Sequence, residues 1–133
     1  MTQTQINTLD LLVSKMAHGK KFSKALHEVY TKRNVAIPLK AEWLECNIDS
    51  LGMSTRTTAA LLRNKIKTIG DVIRYTEQKK ITTLQTFGRV SAIELFETIL
   101  DYCWKHMSQK QQDKFIIDVV TRNSGNIRPE ITL

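Results

Sequence analysis

Arg56, Arg63 and Arg89 are the side chains in this sequence best suited to hold a phosphate, and the last of them stands in residues 86–95, TFGRVSAIEL, ahead of an apolar helical stretch. A guanidinium is planar, permanently charged and weakly hydrated, so it tolerates a site where phosphate oxygens crowd together. Gly88 permits a tight backbone turn. The amides after it can face an anion through the positive end of a helix dipole, and Ser91 can add a hydroxyl. Arg63 follows Arg56 by two helical turns on the same face and can reach a flanking phosphate. A plain helix start and a protein-docking corner fit these residues equally well, since Ser91 with Glu94 three residues later also reads as a capping box.

Other chemistries find no constellation. His18, His27 and His106 are dispersed, no Gly-rich nucleotide loop occurs and no pair of acids sits in a motif, so the chain reads as a non-enzyme without a cofactor. Cys46 and Cys103 have no neighbouring Cys or His at metal-ligand spacing, which reads as no metal site and as reduced thiols in the cytoplasm. No signal-peptide apolar region stands near the start, and no apolar run approaches the roughly 20 residues that span a bilayer. A membrane partner is not expected, because the first helix has no basic residue up to Asp10. The net charge of +7, with a pI of about 9.6, favours acidic partners. That charge is spread along the sequence rather than gathered in a polybasic tail.

At 133 residues the chain is long enough for one domain with a real core plus an extension. Ile6, Leu9, Val13 and Met16 fall on one stripe of a first helix that should end near Gly19. Phe22, Leu26, Val29 and Tyr30 form a second stripe, opposite Lys24, Lys32 and Arg33. Pro38 suits the first residue of a short third helix with Leu39, Trp43 and Leu44 inward. Ser54 can cap a helix over 55–64, Thr68 with Asp71 resembles a capping box, and Thr76 can start another turn. Ser91 with Glu94 opens a helix whose Ala92, Phe96, Ile99 and Cys103 share a face widened by Ile93, Leu100 and Trp104. This helix is expected to be the most buried. Ser108 with Gln111 caps a last helix carrying Phe115, Ile116, Val119 and Val120, which should end at 123–125 ahead of a tail, NIRPEITL. No strand pattern and no internal repeat emerges.

Residues 48–77, IDSLGMSTRTTAALLRNKIKTIGDVIRYTE, followed by residues 87–95, FGRVSAIEL, resemble the C-terminal domain of the bacterial RNA polymerase alpha subunit. The matching positions are Ile48-Asp49, Leu51, Met53-Ser54, Arg56, Ile66, Ile69-Gly70-Asp71-Val72, Thr76-Glu77, Phe87-Gly88, Ser91 and Glu94-Leu95, with one extra residue between Glu77 and Phe87. The resemblance implies an all-α, compact bundle of short helices with helix-hairpin-helix-like elements. It divides the sequence into an N-terminal helical extension (1–45), the alpha-C-terminal-domain-like domain (46–107) and a C-terminal helix and tail (108–133), here as a stand-alone protein. It also implies minor-groove DNA binding and docking on transcription factors, with Arg56 at the position of the arginine that enters the groove.

The sequence departs from the family at four relevant positions. Ala59 replaces a polar DNA-contacting asparagine, and Val90 replaces a lysine whose role Arg89 can assume. Ser50 and Gly52 replace the acids that dock sigma factor. Lys79 and Lys80 make the turn over 76–81 basic. The leading functional reading is a small cytoplasmic transcription-associated protein that binds AT-rich duplex or its backbone through Arg56, Arg63, Gly88, Arg89 and Ser91. The alternative is an interaction module that docks on RNA polymerase or a transcription regulator, its N-terminal helices supplying an apolar face or a homodimer seam.

Overall fold

The first helix begins at a reciprocal cap: the Thr2 hydroxyl accepts the Gln5 amide, and the Gln5 side chain accepts the Thr2 amide at 2.8 Å. The structure is a computed structural model that describes residues 1–30 and 37–123. Helix α1 (Gln3–Ala17) ends with Gly19 in the left-handed region, φ 95. Its expected buried stripe is rotated. Ile6 and Val13 are exposed (38% and 49%), and Leu12 is the fully buried residue, with Leu9 and Met16 beside it. Periodicity locates an apolar arc, and the neighbours α2 (Phe22–Val29) and α6 (Gln109–Arg122) select which part of that arc is covered.

The stripe of α2 is buried at Phe22 and Leu26, with Val29 and Tyr30 against the core, while Lys32 and Arg33 lie outside the described residues. The expected helix from Pro38 is instead a 3-10 turn over Ala41–Glu45. Lys40 before it and Cys46 after it are both extended, which leaves no room for a full α-turn. Cys46 must be extended because its carbonyl accepts the Ile69 amide at 3.0 Å and the Ile48 amide reaches the Lys67 carbonyl at 2.8 Å. This isolated pairing of Asn47 with Thr68 seats the turn on α4 (Ile69–Thr76). A Cβ at Gly70 would stand 3.0 Å from the Leu44 carbonyl oxygen, so any side chain there would push the turn and α4 slightly apart.

Helix α3 (Thr55–Arg63) starts at Ser54 and α4 at the Thr68–Asp71 capping box, both as the local spacing predicts. Thr76 is the last residue of α4, and a turn follows it directly, closed by the Gln78 and Lys79 amides on the Tyr75 carbonyl. Thr76 is buried, and its hydroxyl donates to the Ile73 carbonyl at 3.1 Å before the backbone reaches a short 3-10 turn over Ile81–Thr83. Helix α5 (Arg89–Lys105) runs through the middle of the core, burying Leu95, Phe96, Ile99, Leu100 and Cys103. Burial pushes the Cys103 thiol up to about 12, so it is a core group and not a nucleophile. Ser108 and Gln111 cap α6, which buries Phe115, Ile116, Val119 and Val120 and ends at Asn123; the tail over 126–133 lies outside the described residues.

Among the described residues there are six α-helices and no strand, so the fold is all-α. The buried side chains form one cluster from Leu12 to Val120. None of the described helices is long and apolar enough to cross a membrane.

Lys65 occupies the left-handed position after α3 (φ 61), where its amide reaches the Leu62 carbonyl and the Ile66 amide reaches Leu61. Lys65→Gly should therefore raise stability by about 0.5–1 kcal/mol, because a side chain there costs more than the extra freedom glycine brings to the unfolded state. Urea denaturation checks this, and an unchanged or lower midpoint would show the position unstrained.

Candidate nucleic-acid interface

Two helix N-termini stand side by side, held by a carboxylate between them. Glu94, in the second turn of α5, accepts the Ser54 amide at 2.8 Å on Oε2 and the Ser54 hydroxyl at 2.9 Å on Oε1. The Thr57 hydroxyl donates to Ser91 Oγ at 3.1 Å, adding a second rung between α3 and α5. Burial pushes the Glu94 carboxyl up, but the hydrogen bonds it accepts, those of the Ser54 amide and hydroxyl among them, outweigh it and hold the group below the usual carboxylate range. The Ser91–Glu94 pair is thus not the capping box that its spacing suggested. Ser91 lies inside a helix that begins at Arg89, and Glu94 ties down the cap residue of the other helix.

The N-terminus of α5 has no side-chain cap. Gly88 supplies none, and the first intrahelical bond joins the Ala92 amide to the Gly88 carbonyl at 3.0 Å. The amides of Arg89, Val90 and Ser91 precede that bond and carry the positive end of a long helix. Gly88 does not make the tight turn expected of it: its φ is −95, and a Cβ there would meet nothing within 4 Å. The left-handed residue is Thr86, with φ 61.

Four of the five predicted residues, Arg56, Gly88, Arg89 and Ser91, line one cleft of about 300 Å³ together with Val90 and Glu94. Arg56 and Arg89 are exposed and have no ion pair among the described residues. Glu94 is the acid of the cleft, and its oxygens are already engaged. The net result is a concave surface with two free guanidinium groups and unpaired helix amides around one hydrogen-bonded, still ionised carboxylate, so positive charge is in excess and suits a polyanion. Arg63 stands apart, in a smaller cleft with Asn64, Gln85 and Thr86, where its Nη2 lies 3.3 Å from the Thr86 hydroxyl.

The back of α5 is anchored by a different pair. Lys24 of α2 sits 2.7 Å from Oε2 of the nearly buried Glu97, and that hydrogen bond, followed by its charge, raises the Lys24 pKa. No group of His, Cys, Asp or Glu among the described residues is arranged to hold a metal.

Residues 37–101 match the family of the C-terminal domain of the bacterial RNA polymerase alpha subunit. These residues form an RNA polymerase alpha C-terminal-domain-like module. Over 52 residues, 39% of this protein, the sequence is 42% identical to the DNA-directed RNA polymerase subunit alpha of Trieres chinensis. The aligned stretch spans only 16% of that subunit's length. No solved structure matches the sequence. The module is of a non-catalytic type, in keeping with the reading that the protein is not an enzyme. Its match begins at residue 37, so it takes in the 3-10 turn that seats on α4. Helices α1, α2 and α6 lie outside the matched residues, with α2 packed on the module's α5.

Sequence reasoning missed the roles of Ser54, Thr57 and Glu94 as the bridge between the module's helices. Each was visible only as a local cap or surface residue, and nothing in the local spacing marks a bond across forty positions. Thr86 was missed because a β-branched residue gives no signal for a left-handed turn.

Proposed function

We propose that this protein acts in transcription by binding AT-rich duplex DNA in the cytoplasm, through the cleft between the N-termini of α3 and α5. Gly88 carries the reading. The backbone has no need of a glycine there, yet its missing side chain keeps the uncapped α5 amides open to close approach by a phosphate. Arg56 would enter the minor groove, where phosphates on both sides concentrate negative potential. Arg89 would take the phosphate contact that Val90 cannot make, and Ser91 would hold α5 in register with α3 while offering its amide. With Ala59 and Val90 in place of polar donors, affinity would be weak and dominated by backbone and groove shape.

The test is fluorescence anisotropy with AT-rich and GC-rich duplexes over a salt series. The expected log–log salt slope is about −2 to −3, for two or three neutralised phosphates. Arg56→Ala should cost about tenfold in affinity. Gly88→Ala should weaken binding severalfold while changing stability by less than about 1 kcal/mol, the ordinary difference between these residues at a helix cap. Absence of duplex binding by the wild-type protein at low salt would overturn the reading. The exposed Val90 (84%), in the same cleft as the two arginines, favours docking on RNA polymerase or a regulator as the second reading, with recovery of polymerase subunits in a pull-down as its check.

A further inference from the structure

Arg63 and Thr86 meet across the gap between α3 and the turn that leads into α5. Leu84 and Phe87 are both buried, and the Phe87 amide donates to the Leu84 carbonyl at 3.1 Å, closing a four-residue turn. Within that turn Thr86 alone has a positive φ, at the third position, where a type II turn ordinarily takes glycine or asparagine. A β-branched residue seldom adopts this conformation unless its surroundings hold it there. Here the Thr86 hydroxyl donates to the Gln85 carbonyl at 2.6 Å and accepts from Arg63 Nη2 at 3.3 Å. Two residues later the backbone reaches Gly88 and the open amides of α5.

We propose that Arg63 is a positioning residue, which latches Thr86 and so sets the approach of the Gly88–Ser91 amides to the nucleic acid, rather than a phosphate contact itself. This inference rests on the DNA-binding reading for its functional meaning. The latch acts at the start of α5, while Glu94 fixes the separation between α5 and α3, so the two devices place the same amides along different directions. Arg63 is exposed and its bond is a long one, so its effect is modest.

The full-length protein serves for the test, with Arg63→Ala, Thr86→Ala, their double variant and Thr86→Ser, each first shown to melt as a folded protein. If the latch operates, either alanine variant weakens duplex binding by about two- to fivefold, the scale of one solvent-exposed hydrogen bond. The double variant is then no worse than the weaker single, Thr86→Ser keeps wild-type affinity, and the salt slope stays unchanged. If Arg63 touches phosphate, Arg63→Ala lowers the slope by about 0.9 and adds to Thr86→Ala, which overturns the proposal. Amide NMR spectra give a readout without DNA: both alanine variants should move the same resonances over 86–91. Unmoved resonances overturn the latch. A wild-type protein that binds no duplex but shows those shared shifts overturns the DNA reading and leaves the latch supported.

Discussion

Phe22→Ala is expected to lower stability by about 3–5 kcal/mol, the cost of removing a buried aromatic ring from a packed cluster. Phe22 stacks on Trp104 of α5 at 4.6 Å between ring centroids and makes a T-shaped pair with Phe115 of α6 at 5.8 Å. Phe115 in turn meets Trp43 of the 3-10 turn at 6.3 Å, so one ring from α2 joins segments on both sides of the module. Urea denaturation followed by tryptophan fluorescence reads the effect, since Trp43 and Trp104 both lie in this cluster. A cost below about 1 kcal/mol would mean that residues 1–45 form a separable extension. The full cost would mean that the extension, the module and α6 unfold together, which is the organisation we propose.

Glu94→Ala is expected to cost about 2 kcal/mol, because hydrogen bonds to a carboxylate contribute more than neutral ones and the variant leaves the Ser54 cap without its partner. DNA affinity should fall with it, since α3 and α5 lose the bond that sets Arg56 beside the α5 amides. A double-mutant cycle with Ser54→Ala isolates the hydroxyl half of the bridge, because the Ser54 amide is kept, and additive effects would show that this hydroxyl bond does not form. The pH dependence carries a sign. The folded-state pKa of Glu94 is lowered, so between that value and the ordinary carboxylate range the unfolded state binds more protons, and stability rises with pH. Its contribution is present above the ordinary carboxylate range and lost as pH falls through the lowered folded value. Glu94→Gln should flatten that acid limb. Asp71 is lowered too, first by the Lys67 amide and against a burial that raises it, with Arg74 and Thr68 adding to the lowering. A residual limb from Asp71 should therefore survive in the Glu94→Gln variant.

Much of this architecture is legible locally. Ser54, Thr68 and Ser108 each cap a helix by accepting an amide three residues on, and that bond depends on nothing beyond its own turn. The buried faces of α5 and α6 follow from apolar spacing in the same way, because a helix carries its pattern wherever it goes. Local rules failed where a neighbour decided. The face of α1 turned toward Leu12 because α2 and α6 cover that side, and Pro38 led into a 3-10 turn rather than an α-helix because Cys46 had to pair beside Ile69.

At the candidate site the same division holds. Local residue order was enough to start two helices near Arg56 and Arg89, and to stand an arginine and a glycine at those starts. Packing was needed to bring the two starts to one cleft and to join them through Glu94. It also made Thr86 rather than Gly88 the turning residue and put Arg63 with Thr86 outside that cleft. The physical reason is range. A cap is a bond within one turn, whereas the meeting of α3 with α5 is set by burial of Leu61, Leu95 and Phe96 in a common core, which no short window of residues contains.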